Sequence, residues 1–284
     1  MLLNIEKKTK IVGTIGPASD NPDMVLKLYK AGLNVMRINF SHGTYPQQLE
    51  KIKIARDLEK EGIYIPVALD TKGPEIRTGY MKDGRFDVPA GTKMRISMKE
   101  RLGDIDGFST SYPGLYDDVA VNDHILIDDG NLDFLVVEKD AKNKELVVVA
   151  QNNHFLKDQK GMNCPSSRLS MPFISEKDEN DLKFGVEQNV DAIFASFVRR
   201  PEDVQDLRKT LAKYGGGDIP IFAKIAPSDH DAVCDIEDIL NFRDAFRVFY
   251  FCKYWDIGFS IFLQNLFDRE DVFLSSSEGS EYRV

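Results

Sequence analysis

From Lys10 the run KIVGTIG is apolar and β-branched, and it ends in Gly-Pro and a polar turn before Met24, Leu28 and Ala31 fall on one helical face. The spacing predicts a strand followed by a helix. Val35 to Asn39 repeats the strand signal. Leu49, Ile52 and Ala55 then line one face of a helix expected from about Pro46 to Gly62, with proline suited to its first turn. A third strand is expected at PVALD (66–70), whose short uninterrupted apolar run suits a parallel strand covered on both faces.

Between about Thr78 and Leu169 the period shortens to two. Strands are expected at MRISM, HILIDD, LDFLVVE and ELVVVA, with turns at Asp83-Gly84, Asp129-Gly130 and Lys142-Asn143. This pattern predicts an inserted all-β domain. Helical periodicity resumes at Ser175, placed to cap the amide of Asp178, and runs to about Asn189. Strand-like DAIFASF, a Pro201-initiated helix carrying Val204, Leu207 and Leu211, and strand PIFAKI continue the outer pattern. Five outer strands alternating with helices predict an α/β barrel or open sheet. The Gly215–Gly217 run joins a helix end to a strand, the reverse of a phosphate loop, and reads as a linker. After Leu240 an aromatic stretch shows no clear element boundaries, and the final SSSEGSEYRV is polar and expected to fray.

Composition adds few constraints. The 284 residues are 42% hydrophobic and 29% charged, as in an ordinary globular protein. A formal net charge of −9 argues against nucleic acid and for a small-molecule partner. Cys164, Cys234 and Cys252 have neither zinc nor thioredoxin-like spacing, which fits a reducing compartment. The opening MLLNIEKKTK has too short an apolar part for a secretory signal, and the apolar stretch Ile257 to Phe267 is about half of what a spanning helix needs. A cytoplasmic protein with no membrane span is expected.

Four segments in order, KTKIVGTIGPAS (8–19), NVMRINFSHGT (34–44), LDTKGPEIRTG (69–79) and SEKDENDLKFGVEQNVDAIFASFVRRPEDV (175–204), resemble the pyruvate kinase family, as do the shorter KGMNCP (160–165) and AKI (223–225). The resemblance covers roughly residues 8 to 240. It implies an α/β fold, a partial TIM (β/α)8-type barrel with an inserted all-β lid. The expected domains are 1–77 and 170–241 for the barrel, 78–169 for the lid and 242–284 for a divergent tail. The implied activity is glycolytic phosphoryl transfer from phosphoenolpyruvate to ADP, giving pyruvate and ATP, with Mg2+ (or Mn2+) and K+ as cofactors. Such chemistry is catalysed mainly by positioning and charge neutralisation.

Arg37 and Arg77 can fork onto phosphate oxygens. By resemblance Arg37 binds substrate, whereas Arg77, His42 and Lys160 serve the nucleotide. Lys157 lies close enough to compete with Lys160 for that assignment. Lys224 would bind substrate and act catalytically, its charge stabilising the transferring phosphoryl group. Asn39, Ser41, Asp70 and Thr71 carry hard oxygens and match the family's potassium ligands, although Asn39, Ser41 and Asp70 also suit turn capping.

The family continues Lys-Ile-Glu, the glutamate binding the divalent metal, but here the position is Ala226, followed by Pro227. IEDIL (236–240) resembles the family's next helix. The strand after it, with an Arg-Gly-Asp second metal ligand, is expected to be missing, as are the later strands and the regulatory domain. An incomplete barrel follows, with two edges left open unless the tail or another chain covers them. Family members are typically homotetrameric, an assembly this chain is not expected to share. The chain is expected to be an impaired phosphotransferase. The alternative is a non-catalytic nucleotide- or cation-binding fragment that associates with an intact paralogue.

Overall fold

The computed structural model describes residues 10–225 together with four short strands, Val248–Tyr250, Phe259–Ile261, Phe273–Ser275 and Glu281–Arg283. The chain forms two compact units. Pro74–Phe173 makes one, and the stretch ending at Gly73 joins Ile174–Ile225 in the other.

The outer unit begins with strand β1 (Ile11–Thr14), helix α1 (Pro22–Ala31), strand β2 (Leu33–Asn39), helix α2 (Tyr45–Lys60) and strand β3 (Val67–Asp70). Asn21 Oδ1 accepts the Met24 amide at 2.9 Å, and Pro22 occupies the first turn, where its missing N–H costs nothing. The helix stops at Gly32, whose φ of 112° lies in the left-handed region that ends helices. At the start of α2, Gln47 Oε1 reaches back to the Thr44 amide at 2.9 Å.

The insert runs through β4 (Ile76–Arg77), β5 (Arg85–Val88), β6 (Lys93–Ser97), β7 (Gly107–Ser109), the short α3 (Leu115–Asp118), β8 (His124–Ile127), β9 (Leu132–Asp140), β10 (Glu145–Ala150), β11 (His154–Lys157) and β12 (Gly161–Asn163). Seven of these strands make one sheet in the order β4-β12-β8-β9-β10-β6-β7, and β5 pairs with β11. Alternate residues point inward, as the period of two requires. They build a core around Ile96, Phe108, Ile125, Leu132, Phe134, Leu146 and Val148, all buried, with the Phe108 and Phe134 rings 6.0 Å apart. The turns fall at the predicted Asp and Gly positions, with Asp83 at φ 61° and Asp129 at φ 57°. Because every described residue of this core lies between Ile76 and Met171, Pro74–Phe173 expressed alone is expected to fold. A β-type circular dichroism spectrum with protected amides along β9 and β10 is the result to look for; a coil spectrum would refute it.

The outer unit resumes with α4 (Glu176–Glu187), β13 (Ala192–Ala195), α5 (Pro201–Lys213) and β14 (Ile221–Ile225). As expected, Ser175 Oγ accepts the Asp178 amide, at 3.1 Å. The buried Asp178 also accepts from the Gly73 amide at 3.1 Å and from Ser175 Oγ at 2.6 Å. One carboxylate thus holds both points at which the insert interrupts this unit.

Strands β1, β2, β3, β13 and β14 lie side by side in sequence order and parallel, the neighbour order of a (β/α) barrel. On the helix-covered face sit Met36, Ile38, Val67, Leu69, Ile193 and Ile221, all buried. Val12, Ala68, Ala192 and Phe194 pack on the other face, joined by Val35 and Phe222. This is the expected partial barrel.

The edges differ from expectation. The strand expected to be missing after β14 is present as β15 (Val248–Tyr250), parallel to it with Lys224 opposite Phe249, although the sequence there lacks Arg-Gly-Asp. At the other edge β16 (Phe259–Ile261) lies antiparallel to β1. The expected fraying also fails for two segments of the tail, where β17 (Phe273–Ser275) and β18 (Glu281–Arg283) pair as antiparallel strands. An unpaired edge presents a row of N–H and C=O groups, and short aromatic, β-branched segments such as VFY and FSI are suited to satisfy them. Ala226 and the helix expected at 236–240 lie outside the described residues. Among the described residues no helix is long and apolar enough to cross a membrane.

Candidate functional site

Period-two alternation places Thr14, Arg37, Asn39, Asp70 and Lys224 on the same sheet face as the small apolar cluster of Val12, Ala68 and Phe194. They also stand at or near the carboxyl ends of their strands. Thr14 is level with Arg37, and Asn39 and Phe194 are both level with Asp70. The polar residues therefore sit at the strand ends, where barrel enzymes and open α/β sheets carry their sites.

Three charged side chains meet there. Lys224 Nζ donates to Asp70 Oδ1 at 2.6 Å, and Arg37 Nε donates to Asp70 Oδ2 at 2.8 Å. A second Arg37 nitrogen, Nη2, bonds the same oxygen, and Nη1 donates to Thr14 Oγ1 at 2.7 Å. Exposures of 8% for Arg37, 1% for Asp70 and 3% for Lys224 mean that water screens these charges little. Burial pulls the Lys224 ammonium below its ordinary pKa; the Asp70 carboxylate opposes this, and the like charge of Arg37 adds to it.

Ser196, just past β13, joins the cluster without having been singled out in the sequence. Its Oγ accepts from Lys224 Nζ at 2.7 Å and lies 2.6 Å from the Thr71 carbonyl and 3.3 Å from Asp70 Oδ1. The available signal was a polar residue following the buried apolar run AIFA at a strand end, the position Asp70 has after VAL. Thr14 was missed for the same reason.

The expected potassium ligands are distributed around this cluster. Thr71 is buried and its Oγ1 accepts the Ser196 amide at 3.1 Å. Asn39 Oδ1 accepts the Ser41 amide at 2.9 Å, the turn-capping contact open to it on sequence grounds. A carboxylate offers about four acceptor positions. Arg37 takes two and Lys224 one, while the single Ser196 proton is better placed on Thr71. Asp70 Oδ1 thus accepts from Lys224, with Ser196 Oγ a further 3.3 Å neighbour. Amide, hydroxyl and carboxylate oxygens of this kind fit a hard monovalent cation. Among the described residues no group of three or more His, Cys, Asp or Glu is placed to hold a metal ion.

His42 is exposed in the turn after β2, and its carbonyl accepts from Gln48 Nε2 at 2.5 Å. Arg77 and Lys160 belong to the insert. Arg77 Nε donates to Glu75 Oε2 at 2.8 Å and its Nη1 to the Gln159 carbonyl at 2.7 Å. Lys160 Nζ pairs with Asp128 Oδ1 at 2.6 Å, while His154 Nε2 lies 3.2 Å from the other oxygen. Burial would raise the Asp128 pKa, but Lys160 and His154 together hold it below its ordinary value. The competing lysine, Lys157, instead sits 4.7 Å over the Phe155 ring.

The chain matches the family model described as pyruvate kinase, barrel domain, over residues 6–276, past the point near residue 240 where the motif resemblance ends. It is 43% identical over 243 residues to a pyruvate kinase of Bacillus licheniformis, 41% over 244 to one of Lactobacillus delbrueckii subsp. bulgaricus, and 43% over 246 to one of Staphylococcus aureus strain MRSA252. Each match covers 85% of this chain and 41% of the relative, so the chain spans well under half the length of the curated relatives it matches.

Proposed function

The chain belongs to the pyruvate kinase family, and from that premise we propose that the Arg37–Asp70–Lys224 cluster is the phosphoryl-binding part of a site for phosphoenolpyruvate. The observation that carries this reading is that a forked guanidinium and an ammonium, both buried, share one carboxylate at the strand ends. Arg37, its Nε/Nη2 edge held by Asp70, would contribute a planar delocalised charge toward phosphate oxygens, and Lys224 a point charge for oxygens whose charge grows as the phosphoryl group moves. Asp70 orients both and keeps two like charges side by side. Asn39, Ser41, Asp70 and Thr71 would hold potassium, which supplies fixed positive charge beside the phosphoryl group. ADP is the proposed acceptor, with His42, Arg77 and Lys160 its contacts. The proposed setting is cytoplasmic.

Ala226 offers no oxygen in place of the family's glutamate, so binding is expected to outlast turnover. The same alanine favours the second reading, a non-catalytic nucleotide- or cation-binding chain that pairs with an intact paralogue. Phosphoenolpyruvate at ten times its Kd is expected to stabilise the folded chain by about 1.4 kcal/mol, seen as a rise in Tm. Potassium should add a further rise that Ser41→Ala reduces. No shift with phosphoenolpyruvate at any potassium concentration would sink the phosphoryl-binding reading.

A further inference from the structure

Lys224 reaches the cluster on a long side chain, and its direction depends on what accepts from its ammonium. Asp70 Oδ1, at the end of β3, accepts from it at 2.6 Å, and Ser196 Oγ, just past the intervening strand β13, at 2.7 Å. An ammonium has only donors, so the serine must offer it a lone pair. The hydroxyl has a single proton, and of the two oxygens within reach the Thr71 carbonyl at 2.6 Å is closer than Asp70 Oδ1 at 3.3 Å. With its proton committed to Thr71, the serine has a lone pair fixed on Lys224. The Ser196 amide in turn donates to Thr71 Oγ1 at 3.1 Å, so two bonds in opposite directions set the serine against the end of β3.

The backbone beyond it is constrained as well. Phe197 has φ 58°, a region sparsely populated by aromatic residues and kept where surrounding structure over-determines it. Past this bend the Val198 amide donates to the Lys224 carbonyl at 3.0 Å. The turn 196–198 therefore grips Lys224 at both its main chain and its ammonium.

We propose that Ser196 is a positioning residue for phosphoryl binding, holding the Lys224 ammonium where it meets the phosphoryl oxygens. This rests on the phosphoryl-binding reading of the cluster. A merely structural serine would affect binding whether or not Lys224 were present, whereas a serine acting through Lys224 has nothing left to position once that lysine is gone.

The test is calorimetric titration of phosphoenolpyruvate into the 284-residue chain and its Ser196→Ala, Lys224→Ala and doubly substituted forms. Ser196→Ala is expected to raise Kd about tenfold, in keeping with loss of a hydrogen bond to a charged group. In the Lys224→Ala background the same change should move Kd by less than about twofold. Ser196→Cys keeps the side-chain shape with a somewhat larger atom that is a weak acceptor, should resemble Ser196→Ala, and replaces it if the alanine form does not fold. Equal Kd for the native and serine-substituted chains, or the same loss in both backgrounds, overturns the inference while leaving the phosphoryl site standing. No binding by the native chain overturns both.

Discussion

The purified 284-residue chain, given saturating phosphoenolpyruvate, ADP, magnesium and potassium, is expected to form pyruvate far more slowly than about 1 s⁻¹, the lower end of ordinary enzymatic turnover. Arg37, Asp70 and Lys224 are assembled, so the expected deficit is not assigned to these three residues. It lies at position 226, where the family resemblance implies a glutamate and the chain has alanine. Loss of one preorganised group facing developing charge typically costs about 10²–10³ in rate. The Arg-Gly-Asp second ligand implied by resemblance does not occur around β15 either, where the nearest aspartates, Asp244 and Asp256, lack that context. Ala226→Glu alone should therefore leave turnover near background. A coupled pyruvate assay on folded protein free of host enzyme decides the matter, and turnover of about 1 s⁻¹ or more by the native chain would show that the alanine does not have the consequence assigned to it.

Asp70→Ala is expected to lower the stability of the chain by about 3–5 kcal/mol, the usual result of removing one partner from a buried ion pair. Here the carboxylate serves two cations, and both are nearly excluded from water. Without it an ammonium and a guanidinium face each other in a medium that screens them poorly. Adding Lys224→Met should recover part of the loss, because one of the two stranded charges is then gone. Urea unfolding of the three proteins measures both effects. A loss below about 1 kcal/mol for Asp70→Ala would mean that water already reaches the cluster and that the charges are not held as described.

How much of this was legible in the sequence depends on the range of each interaction. The cap on α4 needs only residues three apart, and Ser175 and Asp178 form it as expected. The strands of the insert were visible because alternation is a local pattern, and their turns carry the Asp and Gly that left-handed backbone favours. Arg37, Asp70 and Lys224 were identifiable as individuals through their motifs. That they share one carboxylate was not, because those contacts join residues 33 and 154 apart in sequence and depend on strand register. Ser196 was overlooked for a related reason: a serine after an apolar run is common, and only the fold brings Lys224 to it. The aromatic stretch after Leu240 has no period to read. Its strands form against edges that other parts of the chain supply, a choice made by tertiary pairing rather than by local propensity.

The two bonds that Asp178 makes to Gly73 and Ser175 bear on chain statistics. An excursion from Pro74 to Phe173 is a loop of about 100 residues, and closing a flexible loop of that length costs roughly (3/2)RT ln n, about 4 kcal/mol, beyond a constant. In this chain the gap is closed twice. The outer unit holds its own two ends through one carboxylate, and the insert brings its ends together where Ile76 pairs with Met162. Each unit closes its own ends, so insertions in, or softening of, the interior of the insert should leave the loop-closure entropy of the outer sheet unchanged.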